Sequence, residues 1–436
     1  MKKKIYYIGV NVYFILLILF LIFSSFIFTY KLTYNEFISH GLIVFGIIGL
    51  LLYGYYRLIF KKVKLYDLLI IIMAFLGYIS YVNAYDKRVA LIGFISGREG
   101  LLVILSYYIF FLLASTIKNK KSKNIMVILM TVFGMLNTIY GIFQIYDINS
   151  LLGIPIVIDW DLPLATGIVS NSNFFGTLLV IMLGIWLSKY VLEEFNNKKI
   201  LYFLVLFIFL IGIFISGAMS AFVALVIMII LLFIYLIFVN RLFSVKEKIF
   251  NIFSVITLIL LSYTLVVLTT DVKLNEDVSE LGMQINETVS GDIEDNFGTG
   301  RIYIWKKVLY YLPDYLYTGI GIDNLAYIGN KEGEYIFDPY TNNVVYKAHN
   351  EYLQVLATQG IFMFIVYIFF LGFIAIVCLI RILKEKNNNV LLLTLFLSFV
   401  GYSVQAFFNI SITRIAPLYF IIMGLLIEEE KESDIV

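Results

Sequence analysis

Residues 200–239 read ILYFLVLFIFLIGIFISGAMSAFVALVIMIILLFIYLIFV, forty residues without one charge. A helix needs roughly 20 mostly apolar residues to cross the hydrocarbon core of a bilayer. The stretch therefore holds two crossings, and Ser216-Gly217-Ala218 between them predicts a tight hairpin. Working outward, similar runs cover approximately residues 8–29, 38–59, 65–82, 101–117, 125–145 and 164–188 on one side. On the other they cover 249–269, 351–383, 390–409 and 415–427, the last short enough to tilt or sit shallow. The expectation is an all-α polytopic membrane protein with about 12 transmembrane helices. Helices follow because lipid offers no partner to an open backbone. A β-barrel would show short segments alternating polar and apolar residues.

Composition agrees. Of 436 residues, 61% are apolar and 14% charged, against roughly a quarter charged in soluble domains. A soluble globular enzyme, a disordered chain and a nucleic-acid binder are excluded, and lipid bilayer is the expected surrounding. Net charge is only +2, too little to attract polyanions by itself. A single cysteine, Cys378, rules out an intrachain disulfide and a metal–thiolate cluster. Two histidines, His40 and His349, rule out a multi-histidine metal site.

Lysine and arginine set orientation. One set of alternate connections carries 21 of them, the other short connections only five: Lys31, Lys87, Arg88, Arg98 and Arg414. The bias predicts both termini in the cytoplasm, and the first apolar run reads as a retained helix without a cleavage site. Between the ninth and tenth runs, residues 270–347 form one large external loop with 13 acidic and 6 basic side chains. The expected division is 1–269 (nine spans), 270–347 (external loop with short helices) and 348–436 (three spans and a tail). Within the loop, 301–312 has helical character, and Gly319-Ile-Gly-Ile and Asp338-Pro-Tyr-Thr-Asn-Asn read as turns.

Chemistry is expected in that loop or just beneath it. Gly298-Thr-Gly-Arg301 and Ala348-His349-Asn350-Glu351 bracket it. His349, just ahead of a span, can act as general base at the membrane surface. Arg301 offers a planar fork suited to phosphate. The plainer alternative makes Asn350 a helix cap and Arg301 the partner of a nearby acid. In Ile95-Ser-Gly-Arg98-Glu99-Gly100, Arg98 is a second phosphate ligand, an interfacial snorkel or the partner of Glu99. In the segment from Gly167 to Gly176, Asn171 and Asn173 either contact sugar hydroxyls or join helices. His40, Asp159-Trp-Asp161 and Asp292-Ile-Glu-Asp295 carry weaker signals, the last lacking a full calcium-loop pattern. There is no P-loop, dinucleotide fingerprint or GxSxG.

About twelve spans, a large late loop, Gly-Thr-Gly-Arg301-x-x-x-Trp305, Pro313, Gly319-x-Gly321, Ala348-His349-Asn350-x-x-Leu353 and Gly360-Ile361 together resemble the O-antigen ligase and polymerase superfamily. Gly97-Arg98-Glu99-Gly100 and Ser170-Asn171-Ser172-Asn173 are similar to it as well. The resemblance implies a GT-C-like membrane glycosyltransferase. Such an enzyme takes a glycan from an undecaprenyl-diphosphate-linked oligosaccharide on the outer face of the cytoplasmic membrane and hands it to a glycan or lipid acceptor. It implies His349 as base, Arg301 and Arg98 at the diphosphate, substrate contacts from Asn171, Asn173, Asn350 and Trp305, and no metal or other cofactor. Ligase and polymerase are both left open. The competing class is a polysaccharide flippase or secondary transporter, which would show charges inside several spans or symmetric broken helices.

Overall fold

The structure, a computed structural model, describes residues 2–27, 33–60, 63–146, 164–272, 300–329, 336–337, 343–384 and 389–428. Asp159-Trp-Asp161, Asp292–Asp295, Gly298-Thr299 and the turn at Asp338 lie outside the described residues. Among the described residues the chain forms α1 (Lys2–Ile27), α2 (Thr33–Phe60), α3 (Leu65–Val82), α4 (Lys87–Ile92), α5 (Leu101–Ala114), α6 (Lys120–Ile145) and α7 (Ser172–Leu192). These are followed by α8 (Asn197–Ser216), α9 (Met219–Ile234), α10 (Val245–Thr269), α11 (Arg301–Tyr311), α12 (Glu351–Lys384), α13 (Val390–Gln405) and α14 (Ala416–Ile427). Among the described residues, nine helices are long and apolar enough to cross a membrane, and α5, α13 and α14 are shorter apolar helices. The protein is an all-α polytopic membrane protein. The hairpin between α8 and α9 turns on Gly217, at φ 58, a left-handed cap that glycine adopts without steric cost.

The bundle is built around α7, 94% of whose apolar window is inside the protein, against 22% for α10. Helix α13 lies on α7 at a point where a Cβ on Gly184 would meet the Ser398 backbone N at 2.4 Å. Ser398 Oγ donates there to Ile181 O at 2.9 Å, the small-residue, polar-bond packing that joins helices in lipid. The three short helices are mostly buried. Their shortness leaves the irregular connections 93–100 and 406–415 among other helices. Non-helical backbone at membrane depth is tolerated where protein encloses it.

The two ends of the bundle differ in charge. Beyond α14, Glu428 forms an ion pair with Lys64 and another with Lys118 at 3.3 Å. Lys123 Nζ donates to Leu425 O at 2.7 Å and Arg381 Nη1 to Leu426 O at 2.6 Å. All four cations come from the lysine- and arginine-rich set of connections, and they gather at the negative end of the α14 dipole. The other end of α14 begins after Arg414 and carries the site described below.

Two spans depart from their sequence expectation. The run from Leu164 reads as helix, yet α7 starts only at Ser172, because Gly167 (φ 57) and Ser170 (φ 64) turn the chain left-handed. The run from Glu351 is one apolar stretch, yet Gly360 breaks it at φ 82, ψ 173. Residues 316–321 fill the break: Ile320 N donates to Ala357 O and Gly321 N to Thr358 O, each at 3.0 Å, while Ile361 N donates to Leu316 O at 2.7 Å. The carbonyls freed by the kink thus bind the loop to the bundle. A Cβ at Gly360 would lie 2.3 Å from Tyr317 O, and that φ/ψ region is essentially restricted to glycine. Gly360→Ala is expected to destabilise the protein by at least about 2 kcal/mol. Thermal unfolding in detergent checks it, and an unchanged midpoint would refute the role given to the kink.

Candidate active site

Gly300, left-handed at φ 79, starts α11 with Arg301 as its first residue. Trp305 lies one turn on, on the same face, and its Nε1 donates to Ala348 O at 2.9 Å. The other side of the same residue is held too, since Ala348 N donates to Gln354 Oε1 at 2.8 Å. Next in the chain, His349 has φ 51, a left-handed conformation that costs a non-glycine residue roughly 1–2 kcal/mol. Asn350 then caps α12, its Oδ1 accepting from Leu353 N at 3.0 Å, and Glu351 N donates to Ala406 O at 2.8 Å. The imidazole is therefore carried on a strained residue whose neighbours on both sides are fixed. Trp305 also packs edge-on against Phe407, ring centres 5.7 Å apart. Burial lowers the pKa of Arg301 from its ordinary value, and a desolvated guanidinium gains most from an anion beside it.

Behind this segment is a buried charge triad. Lys347 Nζ lies 3.0 Å from Glu99 Oε2 and 2.9 Å from Asp323 Oδ1, with all three side chains no more than 6% exposed. Burial pulls the Lys347 pKa down, but Asp323 and Glu99 outweigh it and hold the ammonium above its ordinary value. Asp323 Oδ2 accepts from Phe94 N at 2.6 Å, and Glu99 Oε1 accepts from Tyr107 Oη and Ser411 Oγ, each at 2.8 Å. The triad therefore joins the 93–100 connection, the loop, the residue two before His349 and the connection leading to α14. Arg98 does not pair with Glu99, one of the alternatives the sequence offered. Consecutive side chains diverge, and Arg98 Nη2 instead lies 3.5 Å from Glu36 Oε2. Its backbone is left-handed at φ 55.

Glu351, buried below His349, accepts from Tyr367 Oη at 2.9 Å and Tyr402 Oη at 3.3 Å. Asn171 Oδ1 caps α7 by accepting from Phe174 N at 3.1 Å. Asn173 O accepts from Asn409 Nδ2 at 3.2 Å, so this segment is joined to the α13–α14 connection. From the same connection, Arg414 Nη1 donates to Val169 O at 2.6 Å.

Of the residues singled out in the sequence, the Trp305–Ala348 bond ties the helix that carries Arg301 and Trp305 to the segment that carries His349 and Asn350. Arg98 joins them through its neighbour Glu99 and Lys347. Asn171 and Asn173 lie across the 406–415 connection. Sequence reasoning missed Lys347, Asp323, Gln354 and Ser411. Arg414 stood out only as one of five cations on the sparsely charged side.

The fold and the site define a class: a helical membrane protein with a buried polar site at one end of its bundle, opposite its lysine-rich end. Residues 204–368 match the family model for O-antigen ligase. The match agrees with the resemblance read in the sequence, and it spans Arg301, Trp305, His349 and Asn350. No curated protein matches the chain. Family and fold together support a membrane glycosyltransferase-like function.

Proposed function

We propose that the protein transfers a glycan from undecaprenyl diphosphate to an acceptor hydroxyl on the external face of the cytoplasmic membrane, extending a surface polysaccharide or another envelope glycan. The observation that carries this reading is the Trp305 bond to Ala348 O, which ties the helix headed by Arg301 to the backbone of His349. A groove of about 630 Å³ opens to lipid beside it, lined by Tyr352, Ile368, Leu371, Val400 and Phe407 among others. Tyr352 and Phe407 are at its upper end, so a polyprenyl tail in the groove would bring its head group to the His349 segment. The lysine and arginine bias supports the external face, since the segments that carry His349 and Arg301 lie away from the cation-rich end.

In the reaction, the acceptor oxygen attacks the anomeric carbon and His349 removes its proton. The bond from that carbon to the diphosphate oxygen breaks, and the diphosphate leaves with the electron pair. Arg301 and Arg98 take up the charge that grows on it, an interaction strengthened where water is excluded. Displacement at the anomeric carbon inverts its configuration. The assay uses the full chain in nanodiscs, undecaprenyl-diphosphate-linked oligosaccharide, no nucleotide, and EDTA. Transfer with inversion is expected. Movement of intact lipid-linked oligosaccharide across the bilayer without transfer would favour a flippase instead.

Trp305→Phe keeps the ring against Phe407 and removes only the N–H to Ala348 O. A hydrogen bond of this kind contributes about 1 kcal/mol, and misplacing a catalytic group is felt in rate. The expected outcome is a kcat lowered by about tenfold with donor KM within twofold. An unchanged kcat would show that the bond does not position His349.

A further inference from the structure

A second cavity, of about 220 Å³, lies at the same end of the bundle. Its walls include Asn35, Ser96, Ser170, Tyr346, Thr413 and Arg414. They come from the first turn of α2, the 93–100 connection, the turn before α7, the loop and the connection to α14. The cavity shares no residue with the lipid groove. It does share the catalytic segment. Tyr346 and Lys347, just before His349, wall the cavity, and Tyr352, just after it, walls the groove.

We infer that this cavity holds a sugar residue of the acceptor glycan. The inference rests on the transfer reaction proposed above. A nucleophile displacing diphosphate with inversion must approach the anomeric carbon from the face opposite the leaving group, so the acceptor needs a space of its own, separate from the carrier's, that reaches the same segment. The groove and the cavity are separate spaces, and each is walled by a residue within three positions of His349. Size and chemistry agree. The volume is below the roughly 300–1,000 Å³ of sites for drug-sized ligands, which suits one sugar ring. Hydroxyls of Ser96, Ser170 and Thr413, the amide of Asn35 and the guanidinium of Arg414 offer donors and acceptors to ring hydroxyls. Phe174 and Tyr346, the latter stacked on Phe94 at 5.5 Å, add aromatic surface. The cavity is held open by built contacts. Asn35 Nδ2 donates to Ser96 O at 2.6 Å, and Arg414 anchors Val169 O.

The test uses the full chain in nanodiscs and two probes. One is the lipid-free oligosaccharide repeat unit released from the host cell's own lipid-linked pool; the other is undecaprenyl diphosphate. Ser96→Phe fills the cavity and is expected to weaken oligosaccharide binding at least tenfold while leaving undecaprenyl diphosphate binding within twofold. Thr413→Val, nearly isosteric, is expected to weaken it severalfold, and it carries the test if Ser96→Phe does not fold. In the transfer assay the same changes raise acceptor KM and leave donor KM alone. Failure of the wild-type chain to bind the oligosaccharide, binding indifferent to both variants, or equal loss of both probes would overturn the assignment. Oligosaccharide binding lost in the variants, with no transfer by the wild type, would retain the sugar site and remove the transferase reading.

Discussion

His349→Ala is expected to lower glycan transfer by about 100- to 10,000-fold, the usual contribution of a positioned general base. Both residues must adopt the same left-handed backbone, at φ 51, and alanine meets that strain much as histidine does. The variant is therefore expected to fold and to bind undecaprenyl diphosphate as the wild type does. The companion change, Arg301→Ala, acts on the leaving group. Removing one preorganised charge-stabilising group typically costs about 100- to 1,000-fold in rate, and Arg301→Lys, which keeps the charge but loses the fork, is expected to fall between. Initial rates with lipid-linked oligosaccharide measure all three. His349→Ala with near wild-type transfer would remove the imidazole from the reaction. Arg301→Ala defective only in folding would reduce Arg301 to a structural role.

The largest expected effect on stability is at Lys347. Lys347→Met leaves Glu99 and Asp323 buried without the ammonium they share. Breaking one partner out of a buried ion network costs about 3–5 kcal/mol. Glu99→Gln and Asp323→Asn added to Lys347→Met remove the stranded charges and are expected to restore much of the loss. The pH dependence has a definite sign. The folded pKa of Lys347 is raised, so its contribution is complete below the ordinary lysine pKa and is lost only as pH rises through the higher folded value. Thermal midpoints are thus expected to show no loss from this group across the neutral range. A single variant as stable as the wild type, or a triple variant no better than the single, would show that the triad does not hold the loop on the bundle.

How much of this could be read before folding differs from element to element. The hairpin at Gly217 and the helix headed by Arg301 follow local rules, and both form as their residues suggest. The kink at Gly360 does not, because glycine in an apolar run is compatible with continuous helix. Only the docking of residues 316–321 against it makes the break favourable. The start of α7 was hidden for a similar reason: Leu164, Ala165, Ile168 and Val169 are as apolar as a span, and buried loop and buried helix share that composition. Arg301, Trp305, His349 and Asn350 could be singled out beforehand because their side-chain chemistry stands out against the apolar runs around them. Lys347 and Glu99 were not, being 248 positions apart.

By itself the sequence determined the solvent and the kinds of side chain that gather beside the loop. Uninterrupted apolar runs have no stable home but lipid, the uneven spread of lysine and arginine separates two ends, and the residue types near the loop limit the reactions available there. Tertiary structure alone decided which groups meet. Partner choice at a buried charge depends on distances of a few ångströms between segments remote in the chain, and those distances exist only once the short central helices have drawn the irregular connections into the bundle.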